Sequence, residues 1–166
     1  MNERLENKAA PGPDLGAEVK GRIVVGVDGS PESKAALRWA GEMAQRTGAV
    51  IDAVTAWALP IAFGWDAAGA YDIDWRGDAE KALIATVDSV FGPNRPAGLR
   101  TFVLEGDAAH QLIEHAAGAQ LLVVGSRGRG GFKGLLLGSV SSKCAAHATC
   151  PVLIVHADDL PTGATR

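Results

Sequence analysis

Short apolar runs, separated by stretches with helical periodicity, recur along the whole chain. Hydrophobic residues are continuous within each run instead of alternating with polar ones, which is typical of strands buried on both faces. Such strands, alternating with amphipathic helices, predict an α/β fold: a single doubly wound domain with a parallel sheet and helices on both faces. The predicted strands are Arg22–Asp28, Val50–Trp57, Leu99–Leu104, Leu121–Gly125 and Val152–His156.

Helix start and stop signals lie between these runs. Ser30 supplies an N-cap, Pro31 suits the first helical position, and Gly48 ends the helix. Gly92–Pro93 stops the second helix, and Asp107 caps the third. Each helix therefore has a local cause, and the βαβ alternation does not depend on periodicity alone.

The composition favours one soluble domain and argues against a nucleic-acid partner or a membrane span. The chain has 166 residues, 47% of them hydrophobic and 21% charged, and its net charge is −3. A nucleic-acid binder normally carries a basic face, and no apolar stretch is long enough to cross a bilayer. Residues 127–131 resemble an RGG element, but one copy in an acidic domain is weak support for RNA contact.

Both ends of the chain are predicted to be tails. Residues 1–20 mix charges with prolines and contain no apolar signal-peptide core, so we expect a disordered tail there. Residues 158–166 form a second predicted tail, which leaves 21–157 as the folded domain. The two cysteines do not make a disulfide framework and favour a reducing compartment, from which we expect a cytoplasmic location.

The connection Ala58–Arg76 is longer than the others and rich in glycine, alanine and aromatic residues. A connection of that length in a compact domain is usually functional or mobile. Trp65, Tyr71 and Trp75 either form a lid over a ligand or cover the sheet edge or a subunit contact. The second interpretation is favoured.

Cys144, His147 and Cys150 recur at every third residue and suggest a zinc site. Structural zinc sites prefer closely spaced ligand pairs placed for tetrahedral geometry, whereas here Cys150 stands at the start of a strand. Buried, inert thiols are the favoured interpretation.

The chemistry of the chain is concentrated in a glycine-rich segment after the fourth predicted strand. Gly125 and Gly128 follow the strand directly, and Gly138-Ser139 opens the last helix, predicted over Ser139–Ala148. Glycine allows positive φ and a close approach of the backbone to an anion. A helix start adds unpaired amides and the positive end of its dipole, so the segment predicts a phosphate cradle. Ser139 and Ser141 are expected either to cap that helix or to contact phosphate.

Asp28 ends the first predicted strand, which we expect to lie beside the fourth. Its carboxylate would coordinate Mg²⁺ on a phosphate chain, or form an Asx turn with Gly29 and Ser30, and both roles are compatible. Arg127 and Arg129 are candidates for neutralising phosphate charge, although glycine-flanked arginines are often simply solvated.

Two common nucleotide-binding motifs are missing from the sequence. The residues after the first strand, Gly26–Gly29, lack the spacing of the dinucleotide fingerprint, and Phe132-Lys133-Gly134 does not supply a Walker A loop. The four-point spacing G-x2-G-x9-G-[ST], met by Gly125, Gly128, Gly138 and Ser139, instead resembles that of the ATP-binding universal stress proteins. The opening Val24–Ser30 and the closing Cys150–Val155 are also similar to that family, so the resemblance covers about Gly21 to His156.

The resemblance implies a five-stranded sheet in the order 3-2-1-4-5, with ATP and Mg²⁺ across the ends of strands one and four. Asp28 would then lie near phosphate and metal, Ala56 and Val124 would touch adenine, and Gly26 and Val27 would offer backbone groups. The remaining implied nucleotide-binding residues are Gly125, Gly128, Gly138, Ser139, Val140 and Ser141, and Arg127 joins the predicted site as a candidate for neutralising phosphate charge.

In the implied order the fifth strand is a sheet edge, and Val152–Val155 is apolar at every position. An unprotected hydrophobic edge invites pairing. Coverage by the C-terminal tail is the alternative, but that tail is short and polar. We therefore expect a homodimer through this strand, which the resemblance also implies.

The favoured function is an ATP-binding regulator of a stress or dormancy response, without enzymatic activity. One alternative is slow ATP hydrolysis by an enzyme resembling the PP-loop pyrophosphatases, but the sequence Asp28–Ser33 lacks their double glycine. A second alternative is a binder of AMP or cyclic AMP that uses the same pocket.

Overall fold

The computed structural model describes residues 21–59, 74–130 and 136–161, and these form one five-stranded parallel sheet flanked by four helices. The strand order is β3-β2-β1-β4-β5, as expected. The elements are β1 (Arg22–Gly26), α1 (Pro31–Thr47), β2 (Val50–Trp57), α2 (Trp75–Phe91), β3 (Arg100–Glu105), α3 (Ala108–His115), β4 (Leu121–Gly125), α4 (Ser139–His147) and β5 (Val152–Val155).

The sheet separates two hydrophobic clusters, because successive strand residues point to opposite faces. On one face Ile23 and its neighbours pack under α1 and α2, where Leu37 and Leu83 are fully buried. On the other face Val24 and its neighbours pack under α3 and α4, where Leu112 and Cys144 are buried. Each fully buried Leu or Ile side chain stabilises the fold by roughly 1.5–3 kcal/mol relative to an exposed one.

The predicted caps of α1 and α3 are confirmed. The Ser30 side chain accepts a hydrogen bond from the Ser33 amide at 3.1 Å, and Gly48 ends the helix in the left-handed region with φ 73°. Asp107 Oδ1 accepts a hydrogen bond from the His110 amide at 3.0 Å at the start of α3. Local sequence signals therefore set these helix ends.

The second helix begins earlier than predicted. Asp74 is its N-cap and accepts a hydrogen bond from the Gly77 amide at 2.9 Å, so Trp75 and Arg76 are helical and do not belong to the connection. The remainder of the connection, residues 60–73 with Trp65 and Tyr71, lies outside the described residues. So do residues 1–20 and 162–166, and the division into tails and domain stays a prediction.

The first strand ends at Gly26 and not at Asp28. The Val27 amide still donates to the Val54 carbonyl at 2.8 Å, but Gly29 turns the chain with φ 81°. The predicted bounds of β2 and β4 are confirmed, while three other elements differ from prediction by one residue: β3 is Arg100–Glu105, β5 ends at Val155 and α4 ends at His147. In the described ranges, no helix has the length and hydropathy to traverse a bilayer.

A buried carboxylate lies near the amino-terminal end of the sheet and bonds side chains of neighbouring elements. Asp52, on β2, is 1% exposed and receives two hydrogen bonds from Arg100, at 2.8 and 3.0 Å. Arg22 Nη1 lies 3.3 Å and His115 Nε2 lies 3.0 Å from Asp52 Oδ2. Burial by itself raises the pKa of Asp52, but the hydrogen bonds from His115, Arg100 and Arg22 outweigh it and hold that pKa below its ordinary value.

Candidate functional site

A cavity of about 510 Å³ opens at the carboxyl ends of β1 and β4. The winding direction of the sheet reverses between these two strands, because β2 lies on one side of β1 and β4 on the other. Crevices at such reversal points are where open parallel sheets bind their ligands. The fold therefore places the cavity where a ligand is expected.

Every residue that the sequence predicts for nucleotide binding lies in the wall of this cavity. The segment after β4 and the start of α4 form one side, and the ends of β1 and β2 form the other. The residues are Gly26, Val27, Asp28, Ala56, Val124, Gly125, Arg127, Gly128, Gly138, Ser139, Val140 and Ser141. Their contact with a nucleotide stays a prediction.

Sequence reasoning missed part of the wall. Ala108 and Leu112 of α3, Ser33 of α1, and Val54 and Thr55 of β2 also line the cavity, as do Arg129 and Gly130 of the loop. The apolar residues among them carry no signal that separates a cavity wall from ordinary core, since each lies on an inward helix face or inside a strand. Arg129 was a candidate for phosphate charge without being assigned to the site.

The loop glycines are required for close packing and not for unusual backbone angles. A Cβ at Gly125 would lie 2.6 Å from Glu32 Cβ and 3.0 Å from the Glu32 carbonyl carbon. At Gly128 a Cβ would lie 2.5 Å from Asp28 Oδ2. The expectation of positive φ was wrong for Gly125, Gly128 and Gly138, none of which adopts it. The small residue is needed at Gly125 for the contact with the start of α1, and at Gly128 for the contact with the Asp28 carboxylate.

The last helix begins without a side-chain cap. Its N-cap is Gly138, in an extended conformation with φ −77° and ψ 172°, and no side chain bonds the first-turn amides. Of the two roles expected for Ser139 and Ser141, the helix cap was wrong: the N-cap position is taken by Gly138, and the Ser141 hydroxyl donates to the Ser126 carbonyl at 2.9 Å. The Gly138 amide donates to the same carbonyl at 2.7 Å, which anchors the helix start against the end of β4.

That uncapped helix start gives the cavity its polar character. The amides of the first turn have no intrahelical acceptor, and the helix dipole places partial positive charge at the same point. Ser139 and Val140 line the cavity there. An anionic group held at this wall would satisfy the orphan donors that Gly138 leaves without a cap.

Asp28 ties the end of β1 to the glycine loop. Its Oδ1 accepts a hydrogen bond from the Ser30 amide at 2.9 Å, so the Asx turn is present. Its Oδ2 accepts one from the Arg129 amide at 3.2 Å. Each carboxylate oxygen has a second lone pair, and Asp28 is exposed, so these bonds leave the carboxylate able to coordinate a cation.

Two arginines bring positive charge to the loop. Arg127 is 38% exposed, and its Nη2 lies 3.5 Å from Glu32 Oε1. The guanidinium of Arg129 lies over Gly29, where a Cβ would be 2.9 Å from Arg129 Nη2. Both side chains are therefore near the cavity, with Arg127 partly neutralised by Glu32.

The cysteines lie away from this cavity wall. Cys144 is fully buried in the cluster under α3 and α4, and burial raises the pKa of its thiol to about 11. Cys150 is half-buried, and both thiols are free. Over residues 21–59, 74–130 and 136–161, no three His, Cys, Asp or Glu side chains are grouped as a metal site.

Comparison with known proteins assigns a family. The sequence profile of the universal stress protein family matches residues 21–156. A universal stress protein of Mycolicibacterium smegmatis is 37% identical over 139 residues, which cover 80% of this chain and 45% of that relative. The chain thus spans less than half the length of this curated relative.

Solved structures of the family share the fold. The universal stress protein UspA from Lactobacillus plantarum has a TM-score of 0.69 and 24% identity, covering 82% of this chain and 97% of its own. A universal stress protein solved in complex with cAMP has a TM-score of 0.55 and 29% identity, covering 84% of this chain and 99% of its own.

Proposed function

We propose that this chain, which belongs to the universal stress protein family, binds an adenine nucleotide, and ATP in particular, in the cavity between β1 and β4. The observation that carries the proposal is the uncapped start of α4, which meets the tightly packed loop Gly125–Gly128 at one wall of the cavity. The similar structure that carries cAMP supports the adenine class of ligand.

The two walls of the cavity suit the two ends of such a ligand. Val54, Leu112 and Val124 provide an apolar surface for a purine ring, next to Ala56. The start of α4 offers its amides and the hydroxyl of Ser139 to ribose and phosphates. A planar apolar group and a polyanion joined in one molecule therefore match this cavity.

Asp28 is the residue that would hold Mg²⁺ brought by the nucleotide. Magnesium is commonly bound by one or two carboxylates together with substrate phosphates and water, and the Asp28 carboxylate has free lone pairs beside the loop. The ion would neutralise phosphate charge there, while the protein supplies orientation through the loop amides.

The nucleotide in this proposal acts as a regulatory ligand and is not turned over. Of the described residues that line the cavity, none is a histidine, cysteine or glutamate, and the single aspartate, Asp28, is the residue assigned to Mg²⁺. A general base needs a carboxylate or imidazole within reach of the attacking water. Binding would order the loop and alter the surface of a cytoplasmic regulator of a stress or dormancy response.

A glycine variant and a control outside the cavity test the site. Gly125→Ala places a methyl group against the backbone of Glu32, whereas Ser142→Ala changes an exposed side chain of α4 that does not line the cavity. Equilibrium dialysis with ATP should show saturable binding by the unaltered chain and by Ser142→Ala, and loss of binding in Gly125→Ala. Equal ATP binding by all three proteins would overturn the assignment of the loop.

A second candidate ligand is cyclic AMP or AMP in the same cavity. The structure solved with cAMP favours it. A competition series with ATP, AMP and cAMP decides between the ligands, and steady release of phosphate from ATP well above background would favour the enzymatic alternative.

The edge strand β5 is the proposed homodimer contact. Val152, Leu153 and Ile154 are half-buried, and β5 pairs with β4 on one side. Pairing with the same strand of a second copy would protect its open edge. Sedimentation should give a dimer that Leu153→Lys converts to a monomer; a monomeric unaltered chain would contradict this contact.

A further inference from the structure

The Glu32–Arg127 ion pair lies at the back of the loop that the proposed function uses. Arg127 lines the cavity and follows Ser126 at the end of β4. Glu32 lies in the first turn of α1, where a Cβ on Gly125 would meet its backbone. The contact therefore joins the guanidinium of a cavity residue to a carboxylate outside the cavity.

The geometry of the pair is that of a loose contact. Its N–O distance is 3.5 Å, longer than a charge-assisted hydrogen bond of about 2.7–2.9 Å. The Glu32 side chain is only 12% exposed, while that of Arg127 is 38% exposed. The carboxylate is therefore the more buried partner, packed where α1 meets the loop, and the guanidinium is the partner that reaches solvent.

An acid in the first turn of a helix has an ordinary explanation, because it interacts favourably with the helix dipole. That explanation accounts for Glu32 as part of α1. It does not account for the pairing of Arg127, which lines the cavity, with a carboxylate that does not line it.

We propose that Glu32 withholds Arg127 from the cavity and thereby sets how strongly the site favours ligands with phosphate charge. This inference rests on the proposed function, since it concerns the same site. A phosphate that reaches Arg127 must replace the Glu32 contact, so the free energy of breaking that pair is subtracted from the binding free energy of the phosphate. A neutral ligand does not compete for Arg127, and its affinity does not depend on Glu32.

The test uses Glu32→Gln with adenosine, AMP and ATP as ligands, measured by titration calorimetry in EDTA so that no metal alters the ligand charge. Glu42→Gln is the matched control, because Glu42 lies on the same helix, pairs with Arg46 at 3.0 Å, and is ten residues, or about 15 Å, away. We expect Glu32→Gln to strengthen ATP binding by about two- to fivefold, the range of a partly exposed ion pair. The affinity for adenosine should not change, and Glu42→Gln should change neither the affinity for adenosine nor that for ATP.

The Arg127→Gln background separates competition for Arg127 from a general effect of charge. If Glu32 acts by holding Arg127, the gain from Glu32→Gln disappears when Arg127 is replaced. An equal gain for adenosine and ATP, a gain that persists with Arg127→Gln, or the same gain in Glu42→Gln would overturn the inference while leaving the nucleotide site intact. Absence of saturable ATP, AMP or adenosine binding by the unaltered chain would overturn the proposed function itself, and this inference with it.

Discussion

The two ends of the sheet each hold an aspartate, and the two are used in opposite ways. At the amino-terminal end Asp52 is 1% exposed and is surrounded by two guanidinium groups and an imidazole. At the carboxyl-terminal end Asp28 is exposed and bonds only neutral amides in the described structure, those of Ser30 and Arg129. Charged partners neutralise the carboxylate of Asp52. Amide partners fix the position of the Asp28 carboxylate but leave its negative charge available to a ligand.

This contrast separates a part of the molecule that provides stability from a part that is available for a ligand. The network at Asp52 joins β1, β2, β3 and the end of α3, since Arg22 also donates to the His115 carbonyl at 2.7 Å and the Ala117 carbonyl at 2.9 Å. The opposite end is open and depends on close backbone packing around Gly125.

The largest expected effect is the loss of the buried carboxylate. Asp52→Ala leaves Arg100 and Arg22 without their shared acceptor, and because both arginine side chains are partly exposed, at 41% and 25%, the loss should cost about 1.5–3 kcal/mol, the range of a hydrogen bond to a charged group. Asp28→Ala removes bonds from an exposed group and should cost about 1 kcal/mol. Urea unfolding of both variants measures the loss of unfolding free energy in each. Equal losses would show that the two aspartates contribute equally to stability.

Acid should lower the free energy of unfolding through protonation of the Asp52 carboxylate. Because the pKa of Asp52 is lower in the folded chain than its ordinary value of 3.8, the unfolded chain binds more protons in this range. The Asp52 contribution is therefore complete above pH 3.8 and is lost as the pH falls from there through the lower folded pKa. The free energy of unfolding of the unaltered chain minus that of Asp52→Asn, measured across this range, should shrink on acidification; a constant difference would contradict the assigned direction.

A smaller loss of unfolding free energy is expected from the cap of α1, at the carboxyl-terminal end of the sheet. Ser30→Ala removes the acceptor of the Ser33 amide and should cost about 1 kcal/mol. Thermal unfolding measures this, with Ser142→Ala, an exposed hydroxyl on α4, as the control. A cost close to that of Asp52→Ala would mean that the carboxyl end is held as firmly as the amino end.

The sequence predicted features with a local cause better than those that depend on distant partners. Ser30, Gly48 and Asp107 act on amides or turns within a few residues, so their roles follow from spacing. Asp52 sits inside an apolar run, and its partner Arg100 is 48 residues away. No pattern in the sequence connects them before the sheet brings β2 and β3 together.

The candidate site shows the same limit. The glycine and serine spacing located the loop, but the strand order came from a family resemblance and not from the periodicity of the chain. The role of Gly125 was misjudged, because the restriction comes from Glu32 on α1 and not from the φ of Gly125 itself. Ala108 and Leu112 were missed because a residue of a cavity wall and a residue of a core look alike in sequence.

The smallest expected effect is coupling between the two ends. The helix α3 reaches both, with Ala108 and Leu112 at the cavity and His115 beside Asp52. If the ends are independent, ATP at about a hundred times its Kd should stabilise the unaltered chain and His115→Gln alike, by about 2.7 kcal/mol. The two increments should agree within about 0.5 kcal/mol, as for sites without shared partners. Thermal unfolding of both proteins with and without ATP measures them. A larger difference would mean that α3 transmits ligand binding to the Asp52 network, and the division between a stabilising end and a binding end would then be wrong.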